Sequence, residues 1–269
     1  MSTDTRAMLA KLSRAAHGGL ISVAAAAEAL GVSRTKAAKT LASLNARDWL
    51  RRVRRGLYLV APLEAEPGQK AIPEDPWLVA QAVFAPCYIG GWSAAEHWGL
   101  TEQLFRSTLV VTAAQVRGSA AEFLGHEYRL FKVPNSRIAG SLTPVWRGSE
   151  RVLASTPERT LADCLRNPEL AGGIRPLTDL LTEYWSRSGR DVRKLLAAMD
   201  EVASGAAWKR LGYLAERLFT GSTDLVVEAS RHRSAGYTRL DPAVRGRGTL
   251  VRRWGLWVNV GVGHAGHSQ

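Results

Sequence analysis

Hydrophobic residues between positions 23 and 47 recur every three or four residues, which predicts two short helices joined by a tight turn. The first, Val23 to Leu30, is rich in alanine, which favours helix. Gly31 supplies the permissive backbone of a sharp turn, and the hydroxyl of Ser33 can cap a second helix over Arg34 to Arg47. The apolar residues spaced for burial on that second helix are Ala38, Leu41 and Leu44.

A hairpin is predicted directly after these helices. Residues 49–60 read WLRRVRRGLYLV, in which Gly56 marks the tip between two segments of β-favouring residues. Apolar residues at helical spacing also predict a supporting helix over residues 3–16. This order of elements is that of a winged helix-turn-helix, a shape that fits the major groove of DNA.

The hydrophobic pattern of the remaining chain predicts mixed secondary structure. Alternating or β-favouring runs predict strands at residues 108–112, 128–133, 145–146 and 151–153, and a strand or hairpin within 249–260. Helical spacing predicts helices at residues 77–85, 94–100, 174–185, 192–202 and 206–218. We expect Ser93 to cap the predicted helix at residues 94–100. A further helix is predicted to begin at Pro157, with Thr156 as its cap.

The segment between the two patterns has the composition of a linker. Residues 61–75 contain three prolines, a glycine and several acidic residues. We therefore predict an α+β protein with an N-terminal winged helix-turn-helix DNA-binding domain at residues 1–62. A linker is predicted at 63–75, and a larger mixed α/β C-terminal domain at 76–269.

The formal net charge of +12 is unevenly spread. Residues 1–60 contain 11 Lys and Arg against 3 Asp and Glu, whereas the other 209 residues contain 25 against 21. An acidic partner is implied, and nucleic acid is the simplest one.

The second predicted helix carries polar residues away from its apolar face. Base edges are expected to be read by Arg34, Thr35, Lys36 and Lys39, with Ser33, Thr40 and Ser43 beside them. The wing arginines expected to contact phosphates are Arg51, Arg52, Arg54 and Arg55. A lone run of arginines is commonly only a solvated surface, but this run occupies the wing position of a matching motif.

The two cysteines, Cys87 and Cys164, are far apart and in no metal-binding spacing, so we expect buried thiols in a reducing cytoplasm. We find no run of about 18 apolar residues and no secretory signal, and therefore expect no membrane association.

Two enzymatic functions find little support in the sequence. A metal-dependent nuclease needs clustered carboxylates, but Asp224 and Glu228 have no lysine at the usual spacing. A nucleotidyltransferase needs paired aspartates, and none follow Gly221-Ser222, so residues 221–224 are expected to be a loop. His97 lies among apolar residues and is expected to be packed, while His264 and His267 lie in a Gly-rich terminus. We predict no catalytic residue, no metal ligand and no cofactor.

Four segments of the C-terminal domain, following a winged helix-turn-helix, resemble the AbiEi family of antitoxin regulators. They are YIGGWSAAEHWGL at residues 88–100, STPERTLAD at 155–163, KRLGYL at 209–214 and RWGLWVNV at 253–260. Their order is more specific than any one of them, and the resemblance covers almost the whole chain except the last nine residues.

The resemblance implies a bacterial toxin–antitoxin system that acts in phage defence. It implies that the N-terminal domain binds inverted repeats in double-stranded DNA upstream of its own operon and represses it. It also implies that the C-terminal domain counteracts a nucleotidyltransferase-like toxin, without requiring a stable complex. The family has no motif that assigns this role to single residues.

The sequence therefore predicts a cytoplasmic autorepressor that is also an antitoxin. The alternative is a plain transcriptional regulator whose C-terminal domain senses a ligand or dimerises. A set of arginines near the C-terminus either extends the contact with nucleic acid or toxin or only keeps the surface soluble, and we favour the second interpretation. These residues are Arg231, Arg233, Arg245, Arg247, Arg252 and Arg253.

Overall fold

The computed structural model describes residues 3–60 and 75–262. The predicted linker, apart from Asp75, lies outside these ranges, as do His264 and His267. Within the described ranges no helix is long and apolar enough to cross a membrane. The fold is mixed α+β, with a winged helix followed by a larger C-terminal unit, which confirms the predicted class.

Residues 3–60 form the winged helix, with three helices and three strands. They are α1 (Thr3–Ala15), β1 (Leu20–Ser22), α2 (Val23–Leu30), α3 (Arg34–Ala46), β2 (Leu50–Arg54) and β3 (Leu57–Val60). The strands form an antiparallel sheet, the wing sheet, in the order β1-β3-β2. The predicted helices and hairpin are confirmed. The strand β1 is an addition, because three residues are too few to show a recognisable alternation.

The C-terminal unit begins with two helix–strand pairs, continues with a run of strands, then becomes helical and ends in three short strands. Its elements are α4 (Pro76–Phe84), β4 (Cys87–Ile89), α5 (Gly91–His97), β5 (Ser107–Thr112), β6 (Ala120–Phe123), β7 (His126–Lys132), β8 (Leu142–Arg147), β9 (Glu150–Ser155), α6 (Pro157–Arg166), α7 (Ile174–Ser186), α8 (Val192–Val202), α9 (Gly205–Leu218), α10 (Thr223–His232), β10 (Thr238–Arg239), β11 (Thr249–Val251) and β12 (Leu256–Val258).

A six-stranded sheet in the order β6-β7-β5-β4-β9-β8 organises this unit. The pairs β5–β7 and β4–β9 are parallel, and the other neighbours are antiparallel. Tyr88 and Val111 belong to the core formed with the C-terminal helices, whereas Cys87, Ile89 and Val110 belong to a second core on the opposite face. The central strands are therefore buried on both faces, as their continuous apolar runs require.

The wing sheet is also buried on both of its faces. Leu50, Tyr58 and Val60 belong to the core of the winged helix. The opposite face contributes to the second core, which it shares with α4 and the six-stranded sheet, through Leu20, Val53, Leu57 and Leu59. All four residues of β3 are buried as a result.

Polar contacts also join the winged helix to the C-terminal unit. The His17 Nδ1 atom lies 3.1 Å from a carboxylate oxygen of Glu150. The guanidinium of Arg54 donates a hydrogen bond to the carbonyl of Ala82, in α4, at 3.3 Å. The winged helix is therefore fixed to the C-terminal unit by apolar and polar contacts together.

A buried ion-pair network lies within the segment STPERTLAD. Arg159 is 1% exposed. Its guanidinium contacts Asp163 at 3.1 Å and Glu201, in α8, at 2.9 Å. It also donates to the carbonyls of Ala139 and Arg137. Burial of an arginine is costly unless its donors are satisfied, and these contacts join α6, α8 and the loop before β8.

Two local predictions are wrong. Ser93 lies inside α5, where its hydroxyl accepts a hydrogen bond from the Leu109 amide at 2.9 Å, and Gly90 occupies the cap position. The predicted loop at residues 221–224 ends at Ser222, because Thr223 already begins α10. In contrast, Thr156 caps α6 by accepting a hydrogen bond from the Arg159 amide, as predicted.

We predict that Gly212→Ala destabilises the protein by about 2 kcal/mol or more, because the new methyl group meets the buried ring of Trp254. A Cβ atom at Gly212 would lie 2.1 Å from that ring. The gain in helix propensity, about 1 kcal/mol, is smaller than this cost. Gly189→Ala is the control, because a Cβ atom added there meets open space. Denaturant unfolding of the two variants checks the prediction. Equal stability of the two variants would contradict the packing described here.

Candidate nucleic-acid interface

The turn before α3 has the local chemistry that the sequence predicts. Gly31 adopts the left-handed conformation, with φ of 65°, and its amide donates back to carbonyls at the end of α2. This conformation suits glycine because it has no Cβ. Ser33 is extended and its hydroxyl accepts a hydrogen bond from the Lys36 amide at 3.3 Å. The turn therefore ends α2 and begins α3 within three residues.

The buried face of α3 consists of Ala37, Leu41 and Leu44. Ala38, which the sequence pattern places on this face, is only half-buried. Leu41 follows Ala37 by four residues and Leu44 follows Leu41 by three, so these three side chains share one face of the helix. Ala38 lies about 100° further around the helix. This correction leaves the predicted polar face unchanged.

The polar face of α3 is open to solvent. The exposed side chains among the predicted contacts are Ser33, Arg34, Thr35, Lys36, Lys39 and Ser43, while Thr40 is half-buried. In the described part of the chain, no ion pair engages Arg34, Lys36 or Lys39. The N-terminal turn of a helix also carries partial positive charge, which favours an anionic ligand. This face therefore combines exposed cations with free hydrogen-bond donors.

The four wing arginines occupy different environments. Arg52 and Arg55 are exposed, and Arg51 is half-buried. Arg54 is exposed too, but its guanidinium donates to the Ala82 carbonyl and so is already engaged in the contact with α4. Arg52 and Arg55 are thus the exposed wing arginines whose side chains stay available for a partner.

A hydrogen bond aligns the wing with α3. The Arg52 amide donates to the side chain of Asn45, near the end of α3, at 2.8 Å. A second cap was missed by the sequence analysis: the hydroxyl of Ser22 accepts from the Ala25 amide at 3.1 Å at the start of α2. A serine directly before an Ala-rich run is the signal that could have found it. These bonds set the positions of both helices relative to the wing sheet.

The remaining residues weighed for chemistry, where the structure describes them, contact neighbours within the chain. Within the described residues no cluster of three His, Cys, Asp or Glu could hold a metal ion. His97 contacts the rings of Trp77 and Trp98 edge-on but is exposed overall, so the expectation of a packed histidine holds only in part. Partial burial of its ring, followed by the charge of Arg147, lowers its pKa. Glu228 pairs with Arg231 and His232 on α10. Cys87 and Cys164 are free, buried thiols, as predicted.

The basic C-terminal segment is partly neutralised by contacts within the chain. Arg231 pairs with Glu228, and Arg253 pairs with Glu216. Arg233 donates to the Arg253 carbonyl. These contacts favour the interpretation of this segment as a solvated surface.

Three helices with a three-stranded wing sheet and an exposed basic third helix define the winged helix-turn-helix class of fold. Residues 8–61 match the model of a family described as a transcriptional regulator, AbiEi antitoxin. The resemblance to the AbiEi family that the sequence indicates is therefore confirmed over the N-terminal unit.

One comparison extends over nearly the whole chain. The fold is similar to that in the crystal structure of the RV2827C protein from Mycobacterium tuberculosis, with a TM-score of 0.57 and 18% sequence identity. The similarity covers 94% of this chain and 89% of the other, and at this identity it shows the fold alone. No curated protein matches the chain significantly.

We predict that Ser33→Ala lowers the free energy of unfolding by about 1 kcal/mol, because an unpaired amide is left at the start of α3. Ser43→Ala on the exposed face of the same helix is the matched control and should change it by less than about 0.5 kcal/mol. Denaturant unfolding measures both. If Ser33→Ala were as stable as the control, the cap would not hold α3 as described.

Proposed function

We propose that this protein is a sequence-specific DNA-binding repressor of its own operon and an antitoxin against a nucleotidyltransferase-like toxin. The observation that supports the DNA-binding half most directly is the exposed polar face of α3. Its opposite face is buried, so only Arg34, Thr35, Lys36 and Lys39 and their neighbours are presented to a partner. The match of residues 8–61 to a family of antitoxin regulators supports the same conclusion.

In the proposed complex α3 lies in the major groove. Arg34 and Lys36 stand at its N-terminal end, where recognition helices commonly meet base edges. Lys39 follows one turn later. Ser33, Thr40 and Ser43 flank this row and can donate hydroxyl hydrogen bonds to phosphates. Inverted repeats upstream of the operon would then present two half-sites to two copies of the chain.

The wing supplies phosphate contacts beside the groove. Arg52 and Arg55 are exposed and would neutralise phosphates directly, and Arg51 adds charge from the same strand. Arg54 has a different proposed role, because its bond to Ala82 already holds the wing against α4. We therefore assign Arg54 chiefly to positioning the wing.

The antitoxin half of the proposal rests on the family match and belongs to the C-terminal unit. We propose the division predicted from the sequence: residues 1–62 bind DNA, and residues 76–269 counteract the toxin in the cytoplasm. We propose no catalytic step for this domain. The alternative of a regulator without antitoxin activity differs in one respect: the adjacent gene would not encode a toxin that this chain neutralises.

We predict that two double variants weaken DNA binding in different ways. Lys36→Ala with Lys39→Ala should cost about 1–3 kcal/mol for each lost base contact and reduce discrimination from a scrambled duplex. Arg52→Ala with Arg55→Ala should weaken both duplexes alike and lower the slope of log K against log salt by about 2. Fluorescence anisotropy with the upstream DNA, at several salt concentrations, measures both effects.

Arg193→Ala with Lys194→Ala, on α8 of the C-terminal unit, removes the same charge from a surface outside the winged helix and is the control. Its affinity should stay within about twofold of the unsubstituted chain. Unchanged binding in both winged-helix variants, or an equal loss in the control, would contradict the docking of α3.

We predict that toxin neutralisation survives the loss of DNA binding. When the adjacent nucleotidyltransferase-like gene is induced from a foreign promoter, growth should be restored equally by the unsubstituted chain and by Lys36→Ala with Lys39→Ala, because neutralisation is assigned to the other domain. A reporter under the operon's own promoter should be derepressed by that variant. Failure of the unsubstituted chain to restore growth would overturn the antitoxin half and favour the plain regulator.

A further inference from the structure

A basic cleft lies in the C-terminal unit, on the face of the six-stranded sheet that packs against the C-terminal helices. Its volume is about 250 Å³, and its polar lining consists of Tyr88, Lys132, Arg137, Asp163, Arg166 and Asn167. Apolar side chains of β5, β7 and the following loop line the remainder, among them Phe131 and Val133. The cleft therefore has a cationic end and an apolar wall.

The topology of the sheet places this cleft where α/β proteins commonly bind ligands. The strands β5 and β7 run parallel, and Val111 and Lys132 lie near the carboxyl end of each. Open sheets bind small molecules outside the carboxyl ends of parallel strands. The C-terminus of α6, with Arg166 and its capping residue Asn167, closes the opposite side.

The only carboxylate of the cleft lining, within the described residues, is already engaged. Asp163 accepts a hydrogen bond from the Tyr88 hydroxyl at 2.7 Å and from Arg159 at 3.1 Å, and Arg137 lies 3.5 Å away. Burial raises the pKa of Asp163, while Arg159, Tyr88 and Arg137 oppose that rise. Asp163 is a single carboxylate shared by Arg159 and Arg137, so it does not neutralise all the cations around the cleft.

The guanidinium groups of Arg137 and Arg166 outnumber the single carboxylate of the described cleft lining, Asp163. Arg137 and Arg166 both donate to the carbonyl of Val202, at 3.1 and 2.6 Å, so one acceptor at the end of α8 fixes two guanidinium groups. The Nε atom of Arg137 is buried and has no hydrogen-bond partner. Like charges placed together repel, and a bound anion would remove this cost.

We propose that the basic cleft binds a phosphate group, carried by a small phosphate ester or present as inorganic phosphate. Guanidinium groups donate paired hydrogen bonds to phosphate oxygens, and Arg137 and Arg166 supply two such groups. The apolar wall at Phe131 and Val133 gives the organic part of an ester a surface to pack on. The volume restricts the ligand to a small one.

This inference is independent of the proposed function. The cleft lies on the face of the sheet away from α4 and the wing sheet, and none of its lining residues belongs to the winged helix. A variant that fails to bind DNA would therefore not contradict the proposed phosphate site. Its confirmation would also give the C-terminal unit a ligand that a regulator of either kind could sense.

Isothermal titration calorimetry of the full chain tests the proposal with three probes: inorganic phosphate, adenosine 5′-monophosphate and adenosine. We expect saturable binding of one or both phosphate-bearing probes. Arg137→Gln and Arg166→Gln should each weaken it about tenfold, because each removes a charge-assisted contact with the phosphate. Arg193→Gln, which removes the same charge from the exposed surface of α8, should leave the affinity within about twofold.

Each outcome of the titrations supports or contradicts the proposed phosphate site. Binding of the nucleotide alone supports an ester, and equal binding of inorganic phosphate supports free phosphate. Adenosine binding as tightly as its monophosphate would overturn the proposal, as would no saturable heat up to about 10 mM or equal losses in all three variants. Arg166→Gln also removes a bond to Val202, so thermal unfolding checks that it folds. Arg166→Lys, which keeps the charge but loses the paired donors, should weaken binding only about threefold, and it keeps the test valid if that variant is unstable.

Discussion

Burial of both faces of the wing sheet is the constraint on which the rest of the structure depends. Leu50, Tyr58 and Val60 pack under the helices of the winged helix, while Leu57 and Leu59 enter the core shared with α4. A sheet of three short strands has little stability alone, and covering both faces supplies it. The orientation of α3 is therefore set by the C-terminal unit as well as by its own neighbours.

This arrangement divides the polar residues of the winged helix into two groups. Some of them hold the structure, as Ser22 does by accepting from the Ala25 amide and Arg54 does by donating to the Ala82 carbonyl. Those proposed to bind DNA, such as Lys36 and Lys39, remain exposed on α3. A change in the C-terminal unit that moves α4 would move the wing with it, which gives the two halves of the proposed function a physical connection.

The sequence predicts elements whose signals are local and misses features that depend on distant partners. Gly31 and Ser33 identify the turn, and Thr156 with Pro157 identifies the start of α6, because these signals act within one helical turn. The role of Ser93 depends on Leu109, 16 residues away, and a cap was the simpler local expectation. The basic cleft joins residues from Tyr88 to Leu170, so no linear pattern reveals it. The exposed face of α3 follows from periodicity, whereas the engagement of Arg54 does not.

Hydrogen exchange of the full chain, followed by mass spectrometry, tests the shared core most directly. Amides of β3 in peptides covering residues 57–60 should exchange as slowly as those of β5, at residues 107–112, because both strands open only when the common core unfolds. Equal protection that is lost together in denaturant is the predicted result. Rapid exchange of β3 while β5 stays protected would show that the winged helix opens independently, and would contradict a DNA-reading unit held in place by the C-terminal unit.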